Sequence, residues 1–171
     1  MRSGWLVVVL AAALGGCSTR IPSNPTSFDV PRDNESRLRG PQRVALKNAY
    51  ESETLVVVMR SGQSRGEADL RQFTGSALAM LERRLQHDGI VAEPGSPKTI
   101  SLRVKDMSVI PSAFIVRVVL TVEAELGDGA RRAFRTRDGS PDAQRALDSA
   151  IALALSELVS DEQFIAYVNG R

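Results

Sequence analysis

The stretch Phe114-Ile115-Val116-Arg117-Val118-Val119-Leu120-Thr121-Val122-Glu123-Ala124-Glu125-Leu126 decides the fold. Phe114, Val116, Val118, Leu120, Val122, Ala124 and Leu126 fall on one parity, and the other parity includes Arg117, Thr121, Glu123 and Glu125. Successive side chains of a strand point to opposite faces, so this period of two predicts a long strand with one dry and one mostly wet face.

Shorter signals flank it. Ile100–Lys105 alternates strictly and predicts a second strand ahead of Pro111. Gly127-Asp128-Gly129 supplies hairpin-turn residues, and Arg131–Arg137 reads as the returning strand. Towards the N-terminus, Thr54–Arg60 is a continuous apolar run expected as a buried strand, with a weaker one over residues 42–48. Between Glu67 and Asp88, Leu70, Phe73, Ala77, Leu78, Leu81 and Leu85 recur at helical spacing among Arg71, Glu82, Arg83 and Gln86. Gly89 stands where a helix C-terminal glycine belongs. Leu147, Ala150, Ile151, Ala154, Leu155 and Leu158 predict a second amphipathic helix, with Ser140 as its cap and Pro141 in its first turn. A short last helix around Asp161–Val168 adds Phe164, Tyr167 and Val168.

The expected order is β-β-α-β-β-β-α-α. It favours an α+β fold: a single small domain with a mixed, mostly antiparallel sheet and helices packed on one face.

The N-terminus reads differently. One charge, on Arg2, precedes the unbroken apolar run Trp5–Leu14, the n-region and h-region of a secretory signal. The run is too short to span a membrane, which takes about 20 apolar residues. Leu14-Gly15-Gly16-Cys17 then resembles the lipobox of bacterial lipoprotein precursors at all of its positions. The resemblance implies cleavage between Gly16 and Cys17, a diacylglyceryl group on the Cys17 thiol, and, with Ser18 after the cysteine, retention at the outer membrane. Cys17 is the chain's one cysteine, so no internal disulfide is expected. Each buried methylene contributes about 0.8 kcal/mol, so two or three acyl chains hold a protein effectively permanently.

Three segments are therefore expected: residues 1–16 as lipoprotein signal peptide, 17–41 as lipidated N-terminus and flexible tether, and 42–171 as a periplasmic α+β domain. The tether expectation rests on Pro22, Pro25, Pro31 and Pro41 among polar residues with few apolar ones. The precursor carries 22 basic and 20 acidic residues for a net charge of +2. Charges so nearly balanced give no bulk electrostatic reason to bind nucleic acid, and export argues further against it.

With the helix ending Leu81-Glu82-Arg83-Arg84-Leu85-Gln86-His87-Asp88-Gly89-Ile90, the Ile100–Val104 strand, the alternating run 114–126 and the closing Ala150–Val168 segment, the chain resembles the YajG-type lipoproteins of Gram-negative bacteria. More loosely it is similar to the auxiliary lipoproteins of envelope transport systems. The likeness spans about residues 67–171. It implies an outer-membrane-anchored periplasmic α+β domain with no established catalytic role, and it carries over no functional residue except Cys17.

Catalytic chemistry finds little purchase. Nucleophilic catalysis ordinarily needs a base, and the one histidine, His87, stands at an expected helix end, where favourable helix-terminus charge is the commoner role. Glu123 and Glu125 project from the same strand face; they suit a hard cation in principle and an ordinary solvated face more readily. Arg60-Ser61-Gly62-Gln63-Ser64-Arg65-Gly66 precedes a helix and superficially resembles an anion-binding loop. It lacks the P-loop ending and spacing, so a flexible connection is expected there. Arg131, Arg132, Arg135 and Arg137, with Phe134 among them, form a candidate patch for anionic head groups, lipopolysaccharide phosphates or an acidic partner. The plainer alternative is an edge strand protected by charge.

No catalytic set, metal or cofactor is expected. The function expected is a non-catalytic accessory or binding role in the envelope, held to the membrane by the lipid on Cys17, with an envelope protein or lipid as partner. The alternatives are an auxiliary subunit of a transport or assembly complex and a periplasmic enzyme acting on cell-wall or lipid substrates.

Overall fold

The computed structural model describes residues 18–23, 28–31, 37–62 and 64–170. In chain order the elements are β1 (Ser18–Arg20), β2 (Arg43–Asn48), β3 (Leu55–Ser61), β4 (Ser64–Asp69), α1 (Leu70–His87), β5 (Val91–Ala92), β6 (Thr99–Pro111), β7 (Val116–Leu126), β8 (Arg131–Ser140), α2 (Ala143–Ser160) and α3 (Glu162–Asn169). The fold is α+β. The main sheet runs β5-β2-β6-β7-β8, with β2 parallel to both neighbours and β6, β7 and β8 forming an antiparallel meander. A smaller sheet runs β1-β4-β3.

Both long helices lie on one face of the main sheet, α1 over β2 and β6, α2 over β7 and β8. Ile100, Leu102 and Val104 of β6 and Val118, Leu120 and Val122 of β7 are wholly buried, as are Leu81, Leu85, Leu147, Ile151 and Phe164 from the helices. Full burial of such side chains stabilises by about 1.5–3 kcal/mol each. The alternation in β7 is thus a direct record of which side the helices cover.

Alternation breaks once in β6, and the break hides the strand's true length. Val104 pairs with Val122 but Asp106 pairs with Thr121, so Lys105 is an extra residue. A bulge of this kind bends the strand and shifts its parity. Burial accordingly passes from Ile100, Leu102 and Val104 to Met107 and Val109, and β6 continues to Pro111 instead of ending at Lys105. β7 starts later than expected, at Val116, because Ser112 N–H closes a turn onto the Ile115 carbonyl at 3.0 Å. Phe114 therefore does not share the buried face; it is 87 % exposed.

The stretch 60–66 is a hairpin, not a flexible connection: Gly62 takes the turn at φ +58° and Ser64–Asp69 returns as β4 against β3. The helix consequently starts at Leu70, where Asp69 caps it by accepting from the Arg71 N–H at 3.0 Å. Its end follows the sequence closely. Gly89 adopts φ +79°, its N–H bonds the Gln86 carbonyl at 3.1 Å, and the Ile90 N–H bonds Leu85 at 2.9 Å. That pair of bonds is a Schellman motif, for which glycine is preferred because it tolerates a left-handed backbone. The cap of α2 is Asp142, which accepts from the Arg145 N–H at 2.7 Å, not Ser140. Ser140 is held in β8 opposite Val116, and Pro141 precedes the helix.

Described parts of the segment expected as a tether, residues 18–23, 28–31 and 37–41, include stretches that pack against the domain. Ser18–Arg20 pair with Arg65–Glu67 of β4, and Val30 and Leu38 are buried in the core. Arg84 of α1, 6 % exposed, donates to the Pro31 carbonyl at 2.6 Å and to Asp88 at 3.0 Å. Val30 and Leu38 are isolated apolar residues among prolines and polar residues, and composition averages them away.

Candidate functional site

Gly16 and Cys17 lie outside the described residues, as does the whole expected signal peptide. Their nearest described neighbour is Ser18, opposite Arg65 in β4. Arg65 in turn pairs with Arg60 of β3. The segment Val57–Ser61 faces Ser108–Pro111 of β6 across a groove of about 400 Å³. The direction of β3 follows from its start. Thr54 O accepts from Leu70 N–H at the head of α1, and Thr74 of that helix meets Val104 halfway along β6. β3 therefore runs upward beside the second half of β6, where β2 has already ended. The β3–β4 turn and the β6–β7 turn stand at the same end of the molecule, and Ser18 enters there.

The arginine run of β8 does not form one patch. Arg132 lies on the helix side and donates to both carboxylate oxygens of Asp161, at 3.1 and 2.7 Å. Asp161 is also the cap of α3, accepting from Gln163 N–H at 3.1 Å and Phe164 N–H at 3.0 Å. Burial alone would raise the Asp161 carboxyl, but Arg132 and these backbone donors outweigh it, so its pKa lies below the ordinary value. Arg131, Arg135 and Arg137 point to the opposite, helix-free face, where Arg131 pairs with Glu125 at 3.0 Å. The alternation that sorts β7 into faces sorts these arginines too. Phe134 belongs with Arg132 on the helix side, packed against the core.

Glu123 and Glu125 share the helix-free face as expected, and each is paired with basic side chains, Glu125 at an exposed position with Arg131. Glu123 is 8 % exposed, hydrogen-bonded by Arg103 and 3.4 Å from Lys105. Burial would raise its pKa; the hydrogen bond and charge of Arg103, with Lys105, bring it below the usual carboxylate value. Tyr50 lies beside this group, donating its hydroxyl to Val104 O at 2.9 Å, and burial raises its pKa. The arrangement is an ion-pair network on a sheet face. Among the described residues no three His, Cys, Asp or Glu side chains converge on a metal position. His87 is the last residue of α1 and exposed, in the last turn with Arg84.

The feature that alternation conceals is an apolar end. Phe114, Ile115, Ile110 and Val57 are 87, 41, 48 and 38 % exposed. Phe114 and Ile115 occupy the β6–β7 turn, Ile110 the end of β6, and Val57 the facing side of the groove. The signal available in the sequence was Pro111-Ser112-Ala113 ahead of two large apolar residues, a turn preceding a strand. Ile115 and Arg117 both lie over Gly139 of β8, so the apolar turn is continuous with the cationic face.

Among the described residues no helix is long and apolar enough to cross a membrane. No family model matches the chain, and no curated protein matches it.

Proposed function

We propose that the chain is a lipid-anchored lipoprotein of the bacterial envelope, of the kind the YajG-type resemblance implies, whose folded domain has a non-catalytic accessory or binding role. The observation that carries the reading is Leu14-Gly15-Gly16-Cys17 directly behind an apolar run of secretory length. The domain adds support of a different kind. Glu123 is held by Arg103 and Lys105, and the part-buried Asp161 by Arg132, which suits both acids to tying elements together.

The reading assigns Cys17 to attachment through a thioether to diacylglycerol, Gly16 to the cleaved bond, and residues 18–171 to the periplasmic side of the outer membrane. The exposed apolar side chains at the end of the molecule, Val57, Ile110, Phe114 and Ile115, favour a binding role, including that of an auxiliary subunit in a transport or assembly complex. Growth on labelled fatty acid tests the anchor: label should enter the wild-type chain and be absent from Cys17→Ser. Equal labelling of the two, or none in either, would sink the proposal.

A further inference from the structure

Phe114 is the most exposed large apolar side chain among the described residues, and it is held out rather than loose. The turn beneath it is closed by the Ser112 N–H and Ser112 Oγ donating to the Ile115 carbonyl. Holding a phenyl ring in water forfeits the burial that places most phenylalanines inside. Ile115, beside it, rests on Gly139 next to the Arg117 side chain.

Behind this tip the helix-free face is cationic. Arg117, Arg135 and Arg137 occupy successive outward positions of β7 and β8, and none of them makes an ion pair with a described residue. Arg60 and Arg65 stand beside the groove at the same end. The acids nearby are Asp106, across Thr121 from Arg135, and Glu67, 3.8 Å from Arg65; Glu123 is already taken by Arg103 and Lys105. Positive charge remains in excess. A projecting apolar tip with arginines directly behind it matches a membrane interface in cross-section, apolar inside and anionic at the phosphates.

The chain's own connectivity fixes which end meets the bilayer. Ser18, one residue after Cys17, is already paired in β1, and β1 runs parallel to β4 from the hairpin end. Between a lipidated Cys17 and the folded body there is no slack. The end carrying the β3–β4 and β6–β7 turns then lies against the lipid surface. We infer that this end docks onto the anionic surface of a phospholipid bilayer. Phe114 and Ile115 enter the head-group region while Arg117, Arg135 and Arg137 meet lipid phosphates. The inference rests on the anchoring proposed above.

The one tryptophan of the chain is Trp5, inside the expected signal, so Phe114→Trp makes a single-tryptophan reporter in the mature protein. The purified full-length mature protein is reconstituted with phosphatidylcholine–phosphatidylglycerol vesicles carrying brominated acyl chains. Its N-terminal mass is read in parallel. Docking predicts a blue-shifted F114W emission quenched by the bromines, and an unquenched emission from Leu153→Trp on the exposed side of α2. It also predicts that R117Q/R135Q/R137Q, all at exposed positions, loses most of the F114W quenching while the acylated chain still floats with the vesicles.

An acylated chain that floats while F114W keeps a water-like, unquenched spectrum overturns the docking and leaves the anchor standing. F114W emission that shifts in native envelopes but not in vesicles also overturns it, in favour of a protein partner. A chain without acyl groups overturns the anchoring by mass alone; quenching of F114W by the same vesicles then still supports the dock, and its absence removes it.

Discussion

Arg132 grips both carboxylate oxygens of Asp161 while Asp161 caps α3, so one acid ties the edge strand β8 to the C-terminal helix. Removing Asp161 takes away the cap and the pair together. Asp161→Ala should cost about 1–2 kcal/mol, roughly 1 of it from the cap. Arg132→Ala should cost less, because the pair is partly exposed and the cap survives. Urea denaturation of the two variants checks the order; equal losses would mean that the cap contributes nothing.

Acid should unfold the domain through a small set of groups. Glu123 and Asp161 have folded pKa values below their ordinary values of 4.5 and 3.8. A depressed folded pKa contributes stability that is fully present above the unfolded value and is lost as pH falls through the folded one. Unfolding free energy should thus be flat with respect to these two groups near neutrality and fall below about pH 4–5. Glu123→Gln should make that acid slope shallower. An unchanged slope would show that the Arg103–Glu123–Lys105 network does not stabilise the fold.

The Thr74 hydroxyl accepts from the Val104 N–H at 2.9 Å, in the core, just before the β6 bulge and just beyond the last β2 pairing. The helix thereby satisfies a strand donor that no neighbouring strand reaches. Thr74→Val keeps the shape and leaves that N–H unpaired, at a cost of about 1–3 kcal/mol. Thr74→Ser should retain most of the stability. Thermal melts compare the two directly, and a serine variant no better than valine would refute the role.

Arg84 joins the segment around Pro31 to α1, and its partner Asp88 is itself buried. Arg84→Ala leaves Asp88 without its cation and should destabilise by about 3–5 kcal/mol, the range for breaking a buried pair. Limited proteolysis adds a local readout. Cleavage within residues 28–41 should accelerate in Arg84→Ala under conditions where the domain stays folded.

The central strands were legible because each of their residues answers to one of two faces: β7 and the first half of β6 carry the helix-facing residues in strict alternation. The Gly89 end of α1 was legible for an equally local reason. Three things were not. The Lys105 bulge reverses parity, so the alternation that identifies β6 appears to stop. β4 reads Ser-Arg-Gly-Glu-Ala-Asp, with no β-branched residue, and is a strand only because β3 and β1 flank it. Val30 and Leu38 are isolated apolar residues whose burial depends on surfaces distant in sequence.

At the candidate site, the arginines of β8 were visible as a run. Their division between Asp161 and the open face needed the partner residue, 29 positions away from Arg132. Phe114 was placed in the core by its parity; a turn hydrogen bond moved it to the surface.

Intact-mass measurement of the protein purified from envelopes tests the central claim most directly. The account predicts a chain that begins at Cys17 and carries the added mass of a diacylglyceryl group, with or without a further acyl chain on its amino terminus. A chain that retains residues 1–16, or that presents Cys17 as a free thiol, would contradict it.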